Sequence, residues 1–190
     1  MGRQFPRIEP EHKAFIERQK VFFVATAAPQ GRVNVSPKGL STFRILSEND
    51  VAYLDCTGSG SETRAHLIAS DDKRLTIMFC AFEGDPVILR LYGQAQSLMR
   101  GTPEYADLIS KFEEVPGARQ IVRLAVDLVQ TSCGMGVPLF DYKQERGSLV
   151  RYWTTHGIDN LRKYWRLKNM KSIDGLPTGL EPDNMAPPGG

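Results

Sequence analysis

A chain of 190 residues, 41% hydrophobic and 24% charged, has the size and make-up of one globular domain around one substantial core. Its net charge is only +2, with both signs interspersed, so it gives no sign of a nucleic-acid footprint. No stretch approaches the roughly 20 apolar residues of a membrane span, and the charged first 20 residues lack the apolar core of a signal peptide. Neither nucleic acid nor membrane is therefore expected as a partner. Cys56, Cys80 and Cys133 are odd in number and widely spaced. That pattern fits a reducing cytoplasm and offers no metal-ligand cluster.

Residues 10–19 read as a short helix with Phe15 and Ile16 facing inward. Residues 20–28 (KVFFVATAA) are β-branched and aromatic, a buried strand. Pro29, Gln30 and Gly31 are turn chemistry, joining it in a hairpin to a strand over residues 32–36. There Val33 and Val35 share one face and Asn34 and Ser36 the other, the period-two pattern of a half-buried strand. Pro37 lacks a backbone donor and is expected to end the ladder. Lys38 and Gly39 follow. A cation, a nearby hydroxyl and a glycine that admits close backbone approach suit a phosphate oxygen; the plainer reading is a solvated Pro-Lys-Gly turn.

A second hairpin joins residues 44–47 to residues 51–55. Next comes the Gly/Ser loop Thr57-Gly58-Ser59-Gly60-Ser61-Glu62-Thr63-Arg64, which opens a helix through Ala65, His66, Leu67 and Ile68. Free N–H groups and the helix dipole favour an anion at such a junction. Residues 74–82 (RLTIMFCAF) form an apolar strand, and residues 87–98 another, with Gly93 marking a bulge. Thr102, Pro103 and Glu104 are a strong helix start, and the helix is expected to run to residue 114. Residues 119–130 read as a strand and residues 160–170 as an amphipathic helix. From residue 172 the chain is rich in proline and glycine and lacks periodicity, so the expected organisation is one domain over residues 1–170 and a flexible tail over 171–190. Hairpin-linked strands with few crossovers predict a mainly β (α+β) protein built on an antiparallel barrel.

The ordered set FFVATA, VNVSPKG, VAYLD, TGSGSETRAHL, LTIMFCAF and LRLYGQA, spanning roughly residues 15–138, resembles the FMN-binding split β-barrel proteins of the pyridoxamine 5′-phosphate oxidase-like family. That resemblance implies an antiparallel six-stranded split barrel with flanking helices, a homodimer, and FMN in the clefts at the subunit interface. It further implies that Val35, Ser36 and Pro37 offer backbone to the flavin ring. Lys38 would meet the phosphate or the polar ring edge, and Ser61, Thr63 and Arg64 the phosphate. Arg90 and the strand end Gln130, Thr131 and Ser132 would come from the second subunit. The chain departs from vitamin B6 oxidases at Ile88, where they carry a glutamine, and in lacking their C-terminal substrate motif, for which Trp165-Arg166-Leu167 is a poor substitute. Flavin binding survives these departures better than pyridoxamine phosphate oxidation does.

Each residue has a plainer role as well. Arg64 fits a helix first turn, His66 a packed histidine, Cys133 a strand-end thiol without a histidine partner, and Trp153 and Trp165 the core or a dimer contact. No catalytic residue is assigned. The expected function is an FMN-dependent oxidoreductase acting on a small-molecule substrate or electron donor; the alternative is a non-catalytic flavin- or haem-binding protein on the same barrel. Haem would need His12, His66 or His156 as axial ligand, and a deazaflavin would suit the same fold. The apolar strands also exceed what one small interior needs, so a face bearing Leu91 or Leu128 is expected at a subunit contact.

Overall fold

The computed structural model describes residues 2–113 and 115–183. Its framework is an antiparallel sheet of eight strands: β1 (Arg3–Phe5), β2 (Phe22–Thr26), β3 (Asn34–Lys38), β4 (Phe43–Ser47), β5 (Asp50–Cys56), β6 (Arg74–Cys80), β7 (Val87–Met99) and β8 (Ala118–Cys133). The flanking helices are α1 (Pro10–Arg18), α2 (Glu62–Ala69), α3 (Pro103–Ile109) and α4 (Ser148–Lys168). Strand order is β3-β2-β6-β7-β8-β5-β4, with β1 paired to β8.

The two ends of this order, β3 and β4, do not pair among the described residues, yet the sheet curls until β4 meets β2 and β6 through side chains. Phe22 of β2 and Phe43 of β4 bring their rings to 5.2 Å, and Phe43 meets Phe79 of β6 at 5.1 Å. These edge-to-face aromatic pairs close by side-chain packing what backbone pairing leaves open. The result is a split barrel. Its interior holds Val24, Val51, Ile77, Leu89, Leu91 and Val129, all fully buried. The long ladder between β7 and β8 shifts register between Tyr92 and Gly93. A Cβ at Gly93 would collide with the Ala125 carbonyl oxygen, so the expected bulge needs glycine there.

Several sequence expectations change. The sheet has eight strands rather than the six that the resemblance implies; the seven read from the residues are β2–β8, and the addition is β1, three residues too short to announce a period. Pro37 does not end the ladder but lies within β3 opposite Phe23. An edge strand tolerates proline where its nitrogen faces away from the partner. The alternation expected of that strand is present, with its apolar face outward: Val33 and Val35 are 70% and 61% exposed, while Asn34, Ser36 and Lys38 are half-buried. Helix α3 stops at Ile109, and α4 begins at Ser148, earlier than residue 160, with a break at Gly157 whose φ is 69°.

The last change is the tail. Residues 171–183 are folded onto the domain. Thr178 and Leu180 are buried, the Ser172 N–H donates to the Leu176 carbonyl at 2.8 Å, and the Thr178 N–H donates to that of Met170 at 3.1 Å. Composition misleads because this turn is fixed by backbone hydrogen bonds and scattered buried side chains rather than by a periodic face. Residues 184–190 of the expected tail lie outside the described residues.

Candidate functional site

The opening between β3 and β5 holds a cavity of about 760 Å³, within the roughly 300–1,000 Å³ range of small-molecule sites. Strand β3 forms one wall, the end of β5 with Gly58, Ser59 and Gly60 another, and Lys171, Ser172 and Ile173 a third; Glu62, Thr63 and His66 of α2 complete it. Five basic side chains line it (Arg32, Lys38, Arg119, Lys168 and Lys171) against two acids, Asp55 and Glu62. A second cavity of about 590 Å³ lies beside α1, lined among others by Phe82, Phe140 and Tyr142, but its three bases are matched by three acids. Of the two, only the first has a charge excess to offer an anion.

Its floor is built around Asp55. Strand β5 is buried and largely apolar from Val51 to Leu54, and the next residue inward, Asp55, is a buried carboxylate, which must be paired. The Lys38 ammonium lies 2.7 Å from Asp55 Oδ1. The Arg119 Nε and Gln120 Nε2 reach Oδ2 at 2.8 Å and 2.7 Å. Burial pushes the Asp55 carboxyl up, but the Arg119 and Lys38 charges and the hydrogen bonds from Lys38 and Gln120 outweigh it, holding the group below the usual carboxylate range. Two cations therefore share one carboxylate, and net positive charge remains. The same burial, with the Asp55 charge beside it, pushes the Cys56 thiol up to about 12.

The inner face of β3 continues the polar wall. The Ser36 hydroxyl donates to Asn34 Oδ1 at 2.9 Å, and Asn34 Nδ2 donates to Thr26 Oγ1 at 3.3 Å. Thr26 Oγ1 lies 3.1 Å from His66 Nδ1, while the buried His66 Nε2 has no partner among the described residues. Helix α4 is pinned behind the glycine loop. Trp165 Nε1 donates to Thr57 Oγ1 at 2.7 Å, and Asn169, fully buried, accepts from Arg119 at 2.9 Å and donates to the Gly58 carbonyl at 3.1 Å.

Residues 8–133 match the family model described as pyridoxamine 5′-phosphate oxidase. The chain belongs to the pyridoxamine 5′-phosphate oxidase family. It is 38% identical over 180 residues to the pyridoxamine 5′-phosphate oxidase family protein ustO of Aspergillus flavus, a match that covers 84% of this chain and 71% of that protein. Among solved structures, a variant of HupZ from Group A Streptococcus is similar in fold, with a TM-score of 0.52 and 22% identity over 66% of this chain and 99% of that one. A candidate pyridoxamine 5′-phosphate oxidase from Lactobacillus delbrueckii gives a TM-score of 0.51 and 16% identity over 66% and 94% of the two chains.

Within this family member, the residues singled out in the sequence divide into three groups. Val35, Ser36, Pro37, Lys38 and Thr63 line the cavity. Ser61 occupies the N-cap position of α2 without a side-chain capping bond and is buried, and Arg64 does not line the cavity. The Arg64 guanidinium instead donates to the Thr178 carbonyl at 2.6 Å, to Ser97 Oγ at 2.8 Å and to the Gly179 carbonyl at 3.2 Å. Arg90, Gln130 and Ser132 lie away from the cavity, with Arg90 bonded to Ser132 at 3.1 Å and Tyr92 to Gln130 at 3.2 Å. Thr131 lines a different cavity, under β1 and α1.

Leu91 is fully buried inside the barrel, so it does not belong to an outward face. Trp153 and Trp165 are core residues of α4. His12 is buried and accepts the Glu9 N–H at 3.1 Å as part of the α1 cap, and His156 is exposed and stacked on Tyr152, away from the cavity. The sequence reading missed Asp55, Arg119, Gln120 and Asn169. The signal was available for the first three: charged or amide side chains inside otherwise apolar strand runs.

Proposed function

We propose that this protein is a flavin-dependent oxidoreductase that binds FMN in the cavity at the split of its barrel. The observation that carries the reading is the cationic floor of that cavity, where Lys38 and Arg119 share Asp55 beneath a polar wall. Pro37 supports it from the backbone. Proline costs no ladder bond only where its nitrogen faces away from β2, and the alternation of an antiparallel edge then turns the N–H and C=O of Val35 outward too. That provides a donor and an acceptor for the polar rim of a flat heterocycle. Exposed Val33, Val35 and Ile173 supply apolar contact around it.

The phosphate would meet Lys168 and Lys171, which have no ion pair among the described residues, together with the Gly58–Gly60 backbone before α2. Bound there, the flavin supplies hydride or electron chemistry. The chain itself binds, orients and shields: the Asp55 cluster fixes the Lys38 ammonium, and Asn34 fixes the Ser36 hydroxyl. Of the three histidines only His66 lines the cavity, and its ring is buried against Thr26. An exposed axial ligand for haem is thus not offered there, which favours flavin.

A homodimer belongs to the same reading. The half-buried Arg90, Gln130 and Ser132 would face the second subunit's cavity, and the exposed Val33, Val35, Met135 and Leu139 are the kind of surface such a contact covers. A small electron-donating or oxidisable molecule would complete the reaction.

Titration of the purified protein with FMN, followed by flavin absorbance and fluorescence, tests the site. Lys38→Ala removes one charge-assisted bond, worth roughly 1.5–3 kcal/mol, and should weaken FMN about 10- to 100-fold with a small change in melting temperature. Unchanged affinity in this variant, or a Soret band in place of a flavin spectrum, counts against the proposal.

A further inference from the structure

The third wall of the cavity comes from the segment that composition marked as a tail. We infer that residues 171–181 form a fixed strap that completes the ligand site, and that Arg64 is a positioning residue acting through it rather than a phosphate ligand. This deepens the flavin reading and rests on it.

Each element that the strap crosses anchors it. On α2, Arg64 donates to the carbonyls of Thr178 and Gly179 at 2.6 and 3.2 Å. Also on α2, the Glu62 carboxylate accepts the Ile173 N–H at 3.1 Å. On the β2–β3 turn, the Asp174 carboxylate accepts the Arg32 N–H at 2.7 Å and ion-pairs with the Arg32 guanidinium. The turn is shaped for that contact. Gly31 has φ of 101°, and a Cβ there would stand 2.6 Å from Asp174 Oδ2, so the backbone approaches the carboxylate where a side chain would crowd it. At the far end, Thr178 Oγ1 donates to the Asn169 carbonyl at 2.7 Å, tying the strap to the residue that also holds Arg119 and Gly58.

These bonds place Ser172 and Ile173 on the cavity wall, with Ile173 73% exposed. An apolar side chain held in the open by polar anchors on both sides is a contact awaiting a ligand. Arg64 has a second line into the site: its Nη1 donates to Ser97 Oγ, which donates to Gln120, which donates to Asp55. Through both routes it shapes the cavity it does not line. A substitution at Arg64 therefore acts on any ligand, phosphorylated or not.

The test uses the full chain and its Arg64→Ala and Asp174→Asn variants, each titrated with FMN and with riboflavin. Arg64→Ala should weaken both flavins by a similar factor, about 10-fold. Asp174→Asn removes a negative charge from the rim, which by charge alone would favour FMN, and it leaves the Ser97 route intact. It should nevertheless weaken both ligands. Amide hydrogen exchange of the ligand-free proteins reads the strap directly: exchange across residues 171–181 should rise in both variants while β7 and β8 stay protected. A loss confined to FMN in Arg64→Ala would return Arg64 to the phosphate, and strap exchange unchanged in both variants would equally overturn the inference. A wild-type chain that binds neither flavin sinks the FMN proposal alone, because the exchange measurement still decides the anchors.

Discussion

The two sides of this barrel solve opposite problems. On the closed side β5, β8, β7 and β6 are continuously paired, and their inward residues are buried aliphatic and aromatic side chains. On the split side the ladder stops, and rings fill only part of the gap. Strand β3 turns its polar residues inward and its valines outward. A buried carboxylate is held there by two cations. The closed side is specified by apolar volume, the split side by polar geometry. The lesson is that stability and ligand recognition occupy different parts of one sheet, so substitutions should separate them.

The largest effect is expected where the two meet. Asp55→Ala leaves Arg119 buried without its counter-charge, which costs on the order of 3–5 kcal/mol, and also frees Lys38, so both denaturant midpoint and ligand affinity should fall. The pH dependence follows from the lowered carboxyl. A group whose folded pKa lies below its unfolded value contributes stability above the unfolded value, near pH 4, and loses it as pH falls through the folded one. The wild type should therefore lose this contribution progressively as pH falls from the usual carboxylate range through the lowered folded value, and Asp55→Asn should remove that component.

A cut confined to the closed side sharpens the contrast. Leu91→Ala empties a fully buried position and should cost about 2–5 kcal/mol in chemical denaturation, with flavin affinity of the folded protein unchanged within about twofold. A large affinity loss in that variant would break the separation. The smallest effect is one of reactivity. Cys133 is exposed and Cys56 has its thiol pushed up to about 12, so at pH 8 a thiol reagent should label Cys133 first and leave Cys56 unmodified until the protein unfolds. Rapid labelling of Cys56 in the native protein would mean that the Asp55 neighbourhood is open.

The sequence spoke clearly on the closed side because its strands are long and their period is two. RLTIMFCAF, the run around Gly93 and the run after residue 119 announced β6, β7 with its bulge, and β8. Seven strands were read from the residues and eight are present, since a three-residue edge such as β1 carries no period. The split side was legible only in part. Lys38, Thr63 and the glycine loop were found because turn chemistry and resemblance both mark them, and they do line the cavity. The alternation of β3 was legible but not which face turns inward: an edge strand obeys its ligand wall rather than a core, so its valines face out. Arg64 was matched by local motif, yet its partners Thr178 and Gly179 lie more than 100 residues along the chain, where no local pattern could reveal them. Asn169 and the strap were missed for the same reason: hydrogen bonds from side chains distant along the chain leave no periodic trace.

The central claim is that the ligand belongs to the split side of the barrel. Hydrogen exchange of the wild-type chain with and without saturating FMN tests it most directly. Protection is expected in residues 34–38, 57–63 and 171–174, with the interior of β7 and β8 unchanged. Protection confined to the second cavity, around Phe82, Phe140 and Tyr142, or none at saturation, would contradict it.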